Sequence, residues 1–210
     1  MRRTKEDAEK TRLAILEAAE RLFLERGVAH TSLDVIAREA GVTRGAVYWH
    51  FQNKAHLFHE MLSQVRLPPE QLTERLCHCG NDDPLRSLYD LSVEVIANLA
   101  QDEKRRRIFT ILLHRCEFTE ELKEAEERHY AFVDLFIQLT ERLFEHAAAR
   151  LRPGITPRIA SRSLHGLVVG LFTDFTRDPA AYDPATDAAA LISPLFHGLV
   201  ADWQDAQATS

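Results

Sequence analysis

The sequence predicts an all-α protein, an N-terminal three-helix helix-turn-helix head followed by a larger C-terminal helical domain. Three observations carry this. Apolar residues recur in steps of three and four through most of the chain. Capping residues stand where these stripes begin, and glycines or prolines where they end. No stretch alternates with period two for long enough to make a strand. The 210 residues, 45% apolar and 28% charged, suit one large domain or two small ones with a sizeable core.

The first ten residues are polar, and Arg2, Arg3 and Lys5 form a basic arm that either follows phosphates or a minor groove, or is simply solvated. From about Lys10 to Arg26, Ile15, Leu16, Ala18, Ala19, Leu22 and Phe23 form one helical stripe, which Gly27 stops. Thr31 is expected to cap a second helix, with Asp34 in its first turn suiting the positive end of the dipole. Ala40 and Gly41 end it. Thr43 then caps a third helix from Arg44, and Asn53 a fourth from Lys54.

The two short helices between Thr31 and Lys54, joined by a glycine turn, make a helix-turn-helix whose second member is shaped for the DNA major groove. On that helix Arg44, Gly45, Tyr48 and Trp49 share one arc, while Val47 points the opposite way and anchors it with Phe51. Gly45 costs roughly 1 kcal/mol against alanine inside a helix, which makes sense if another backbone approaches there. Lys54 opposes the dipole of its own helix and is expected to meet an external anion.

The run G-V-T-R-G-A-V-Y-W-H-F-Q-N-K, with I-A-R-E-A before it, resembles the DNA-binding signature of the TetR family of bacterial repressors. The leading R-R-T-K-E and the later H-R-C-E-F-T resemble its AcrR-like subgroup, which controls multidrug efflux pumps. The candidate DNA contacts are Ser32, Thr43, Arg44, Gly45, Tyr48, Trp49, His50 and Lys54. Arg44, at the helix N-terminus, suits bidentate bonds to a guanine. Thr43, Tyr48, His50 and Lys54 suit phosphates, as the resemblance also implies. Trp49 presses on a sugar or thymine methyl, or packs inward. Lys54→Ala is expected to lower the salt slope of binding by about one unit.

Beyond the head, Lys54 to Val65 continues as helix toward Pro68-Pro69, and a boundary is expected near residues 66–70. The division is 1–53 for DNA binding and 54–210 for ligand binding and dimerisation, with helix 54–66 connecting them. Asp83-Pro84 opens a helix to about Ala100; another follows from about Glu103 to Arg115, with Ile108, Phe109, Ile111, Leu112 and Leu113 apolar nearly all round it. Thr119 is expected to cap a long helix ending near Leu151. Thr156-Pro157 starts another, to about Arg177, with two apolar stripes that need two partners, the domain core and a second subunit. A last helix runs from about Asp187 to Trp203, interrupted by Pro194. Lys104-Arg105-Arg106-Arg107 reads as a solvated helix start.

His129 and His165 fall in the seams of adjacent long helices rich in Phe132, Phe136, Phe172 and Phe175. Apolar walls with few polar handles make a ligand pocket, to which Met61, Val65, Phe109, Leu112, Leu113 and Val168 would add.

The net charge of −6 does not by itself suggest a nucleic-acid binder. Residues 1–60 hold ten Lys+Arg against nine Asp+Glu, so the acidic excess lies in the rest. Cys77, Cys79 and Cys116 are too few for a disulfide framework, and no apolar run suits export or membrane insertion, so the expected place is the cytoplasm. No cofactor is expected, since no nucleophile elbow, phosphate loop or metal-ligand motif is present, and Cys77-His78-Cys79 lacks the usual zinc spacing. The expectation is no enzyme but a homodimeric, ligand-responsive repressor. It grips a palindromic operator through paired heads, dimerises through its last two helices, is released by lipophilic compounds, and controls an efflux operon as the resemblance implies. The competing readings are a thiol or metal sensing regulator, and an all-α small-molecule binding protein or enzyme.

Overall fold

The computed structural model describes residues 5–65 and 83–204. Arg2, Arg3, the Pro68-Pro69 break and Cys77-His78-Cys79 lie outside them. The described residues form nine α-helices: α1 (Lys5–Arg26), α2 (Leu33–Glu39), α3 (Arg44–His50), α4 (Lys54–Leu62), α5 (Pro84–Ala97), α6 (Glu103–Thr110), α7 (Lys123–His146), α8 (Pro157–Arg177) and α9 (Pro184–Leu199). Among them the only β pairing is one isolated bridge between Leu151 and Val200.

The helices group into two compact units, Met1–Val65 with Lys104–Tyr130, and Arg66–Glu103 with Ala131–Ser210. The unit holding the helix-turn-helix therefore extends past residue 53 and takes in a distant stretch of chain. Gly27, at φ +84°, ends α1 where a Cβ would stand 3.3 Å from the Arg115 carbonyl, and the Val28 amide donates to that same oxygen at 2.9 Å. Arg107 of α6 donates to the buried Glu20 of α1. The core of this unit is the predicted stripe of α1, with Ile36, Val47, Phe51, Leu57 and Phe58 all buried and Phe23 edge-on to Phe58.

In the second unit α5 packs against α9. The Tyr89 ring meets Phe196 edge-on at 5.2 Å, and Arg86 lies 4.2 Å over Trp203. Arg150 bonds Asp83 at 2.8 Å and Asp202 at 3.1 Å. Of the two stripes of α8, Leu164, Leu171, Val168, Phe172 and Phe175 are buried within this unit, while Leu167 and His165 are half-buried. The exposed side carries Ile159, Gly166, Val169 and Gly170.

Several boundaries differ from those expected, each for a local reason. Thr31 does not cap α2. It is buried and its hydroxyl donates to the Gly27 carbonyl at 2.8 Å, closing the turn after α1, while Ser32 takes the cap and accepts from the Val35 amide. The helix from Glu103 widens into a π turn over Ile111–Arg115, ending at the carbonyl that Val28 uses. Thr119 makes no cap bond and precedes a 3-10 turn, Glu120–Leu122, so α7 begins only at Lys123 and stops at His146. The last helix starts earlier, capped by Asp183. It stops at Leu199, whose carbonyl accepts from the Arg152 amide while the Ala201 amide donates to the Arg150 carbonyl, leaving Trp203 as a core plug beyond the helix.

Candidate nucleic-acid interface

The turn between α2 and α3 is built as the residues suggested. Gly41 sits at φ +65°, its amide donates to Arg38 at 3.1 Å, and the Val42 amide reaches back to Ala37 at 3.0 Å. These are the two bonds of a Schellman motif, which satisfy the last carbonyls of α2. Thr43 then caps α3, its hydroxyl accepting from the Ala46 amide at 3.2 Å, and Asn53 caps α4 by accepting from His56 at 2.7 Å.

Between those caps α3 is held from one side only. Val47 and the following Phe51 are completely buried, while Tyr48 is 46% and Trp49 72% exposed. Trp49 does not pack inward; its ring stands edge-on to His50 at 4.5 Å. Gly45 is exposed, and a Cβ there would meet nothing closer than the Thr43 hydroxyl at 4.0 Å, so no contact inside the protein requires glycine. Ser32 and Thr43 are exposed at the two caps.

Arg44 is paired across the turn. Its Nε lies 3.1 Å from the carboxylate of Asp34, an Nη reaches the Tyr48 hydroxyl in a long bond of 3.5 Å, and the guanidinium lies 5.4 Å over the Tyr48 ring. The Tyr48 bond and then the Asp34 charge raise its pKa, so it stays a full cation. Asp34, Arg44, Tyr48, Ser32 and Lys54 border one open depression of about 340 Å3.

Lys54 corrects the expectation of a phosphate contact. It is 3% exposed, and its ammonium donates to the carbonyls of Val28 (3.1 Å), Ala29 (3.4 Å) and Thr31 (3.2 Å) while meeting Glu121 at 2.7 Å. A three-donor group so occupied has no proton left for a phosphate. The anion that this lysine opposes the helix dipole to reach is internal. The basic N-terminal residues are likewise engaged: Lys10 with Glu6 at 2.9 Å, and Arg12 with Glu60.

The candidate ligand residues divide between the units. Met61 and Val65 are buried beside the head, Phe109 is buried, Leu112 and Leu113 are half-buried in the π turn, and His129 stacks on Phe118 at 5.9 Å. In the second unit Phe132 is half-buried, Val168 and Phe172 are buried, and the Phe136 ring lies 6.1 Å from His165. Burial, then the charge of Arg162, lowers the pKa of His165, which favours a neutral imidazole beside the Phe136 ring. The sequence missed Asp34 as the partner of Arg44 and Glu121 as the partner of Lys54. Neither pair shares a helix, so no periodicity could have revealed it.

Residues 15–61 match the profile of bacterial regulatory proteins of the tetR family, and residues 83–200 that of the C-terminal region of MAATS-type transcriptional repressors. The chain is 38% identical over 185 residues to the HTH-type transcriptional regulator TtgR of Pseudomonas putida, covering 87% of this chain and 88% of that one. Among solved structures it is similar to native NalD, the secondary repressor of the MexAB-OprM multidrug efflux pump in Pseudomonas aeruginosa. There the identity is 67% and the TM-score 0.89, over 94% of this chain and 100% of that chain. A SmeT–triclosan complex is 33% identical with a TM-score of 0.78, over 92% and 93% of the two chains.

Proposed function

The chain belongs to the TetR family of bacterial regulatory proteins, and we propose that it is a ligand-responsive repressor that binds a palindromic operator as a homodimer and controls a multidrug efflux operon. The observation that carries DNA recognition is the one-sided anchoring of α3: Val47 and Phe51 hold it while Arg44, Gly45, Tyr48 and Trp49 are left outward. In this reading Arg44 reads a guanine, and Thr43, Tyr48 and His50 meet phosphates, which position the helix without reading sequence. Residues 1–53 carry DNA binding and 54–210 ligand binding and dimerisation, even though the first compact unit also takes in residues 104–130.

Two-fold pairing through α8 and α9 suits the exposed Gly166, Val169, Gly170 and Gly198 on those helices, whose small side chains allow close approach. It implies recognition helices about 34–36 Å apart, or a multiple of that, when both grip. The inducer is a lipophilic molecule, with Phe136, His165, Val168 and Phe172 as the face that receives it in the second unit, and it acts by favouring a conformer of lower operator affinity. Acting on DNA, the protein works in the cytoplasm; among the described residues no helix is long and apolar enough to cross a membrane.

A gel shift of the purified protein on the DNA flanking its own gene, with and without a panel of lipophilic antibiotics, tests the reading. A retarded band that some compounds abolish is expected. Ligand binding without any operator affinity would favour an all-α carrier instead, and an inducer that saturates the protein yet leaves the band intact would remove the release mechanism.

A further inference from the structure

The pairing of Asp34 with Arg44 joins the first helix of the helix-turn-helix to the base-reading end of the second, and it needs a physical account. Both side chains are largely exposed, 51% and 65%, so the pair adds little to stability. Its effect is on geometry. An arginine alone on an exposed short helix is drawn to any phosphate, since a phosphate carries a full charge and a guanine edge only neutral acceptors. Here the Nε side of the guanidinium is taken by Asp34, and its face and one Nη contact are taken by Tyr48. The Asp34 and Tyr48 contacts use the Nε proton and one Nη2 proton, and they leave Nη1 and the second Nη2 proton, the end-on pair that fits the two major-groove acceptors of guanine.

We infer that Asp34 is a specificity-determining residue for operator recognition. It aims the Arg44 guanidinium end-on, and it places a negative charge where the DNA backbone approaches, so that binding weakens on every sequence except the one whose guanine accepts the aimed pair. A role confined to the dipole of α2 would not require the carboxylate to lie 3.1 Å from Arg44, ten residues along the chain and on another helix. The inference rests on the reading of Arg44 as a base contact.

The test uses the full-length protein and a pool of duplexes with a randomised core. Selection defines the preferred site, and competition binding then measures each base substitution across one half-site at two salt concentrations. For Asp34→Asn, discrimination at the base pair read by Arg44 is expected to fall about tenfold while affinity for random duplex rises. Asp34→Glu, which keeps the charge, is expected to restore most of the discrimination, and Asp34→Ser, suited to a first helical turn, to repeat the loss. In an Arg44→Ala background, Asp34→Asn is expected to leave the remaining base preferences unchanged. Full discrimination in both Asp34→Asn and Asp34→Ser would overturn the inference, as would a loss that persists without Arg44, which would make Asp34 itself the base reader. If the wild-type protein enriches no sequence at all, the DNA-binding reading fails first and this inference with it.

Discussion

The ammonium of Lys54 lies 2.7 Å from the carboxylate of Glu121, sixty-seven residues away in sequence, and it also gathers the carbonyls of Val28, Ala29 and Thr31. One side chain at the start of α4 thus closes the loop that leads into α2 and ties it to the turn before α7. Such a lysine acts as a strut of the head, and its removal separates structural from electrostatic roles. Lys54→Ala should destabilise the protein by about 2–3 kcal/mol, the scale of hydrogen bonds to a charged group. Lys54→Met, which keeps the bulk but leaves the carbonyls facing an apolar tip, should cost at least as much. The salt slope of DNA binding, measured on protein still folded at low temperature, should stay unchanged. A drop of about one unit would return Lys54 to the phosphate contacts.

Arg44 should behave oppositely. Being outward and supported only by Asp34 and Tyr48, it can be removed with little change in thermal stability. Arg44→Ala should weaken binding to the selected operator by about 1–3 kcal/mol and relax preference at a single base pair of each half-site. Equal weakening on all sequences would mark it as a phosphate contact.

Gly45 gives a test in which stability and function move apart. A methyl group there clashes with nothing in the protein, and alanine favours a helix over glycine by about 1 kcal/mol. Gly45→Ala should therefore raise the melting temperature while lowering operator affinity, because the added carbon stands between α3 and the groove. An affinity equal to wild type would show that no backbone comes close at that position.

Cys116 should be a poor thiol nucleophile. Burial, opposed by the nearby Lys54 charge, pushes it up to about 12. Peptide mapping after brief iodoacetamide treatment near neutral pH should find Cys116 alkylated on the order of a hundredfold more slowly in the native protein than in urea, since the thiolate is the reactive form. Rapid native labelling would show that the thiol is neither shielded nor held protonated by its surroundings.

The local parts of the head were legible because each depends on neighbours in sequence. Gly41 with Arg38, Val42 with Ala37, Thr43 with Ala46 and Asn53 with His56 are bonds spanning a few residues, and the local order of residues predicts them. The burial of Val47 against the exposure of Trp49 follows from helical phase. What was not legible depends on side chains meeting across the fold. Lys54 was read by its place on a helix, where a cation is unfavourable, and the compensating Glu121 arrives from another segment. Thr31 and Ser32 are both good caps, and only the turn after α1, which uses the Thr31 hydroxyl, decides between them. The two stripes of α8 suggested two partners, yet its neighbours within one unit bury most of both and leave Leu167 and His165 half-buried.

The acid side of the stability profile should report His165 and His59. Burial is the larger cause of the lowered pKa at both, helped by Arg162 at the first and by Arg128 at the second. In the unfolded chain an imidazole titrates near its ordinary value of about 6.5. Because the folded values lie below it, the unfolded state binds protons first as pH falls, so stability is full above about pH 6.5 and declines as pH drops toward the folded values. Asp83 belongs to a separate, more acid window. Burial alone would raise its pKa, but the bonds from Arg150 and the Leu85 amide outweigh this and lower it, so its contribution disappears only as the carboxylate itself protonates. Urea titrations at stepwise pH should therefore show two declines. His165→Gln should reduce the upper one to the share of His59 and leave the lower one in place, and an upper decline identical in this variant would assign it to other groups.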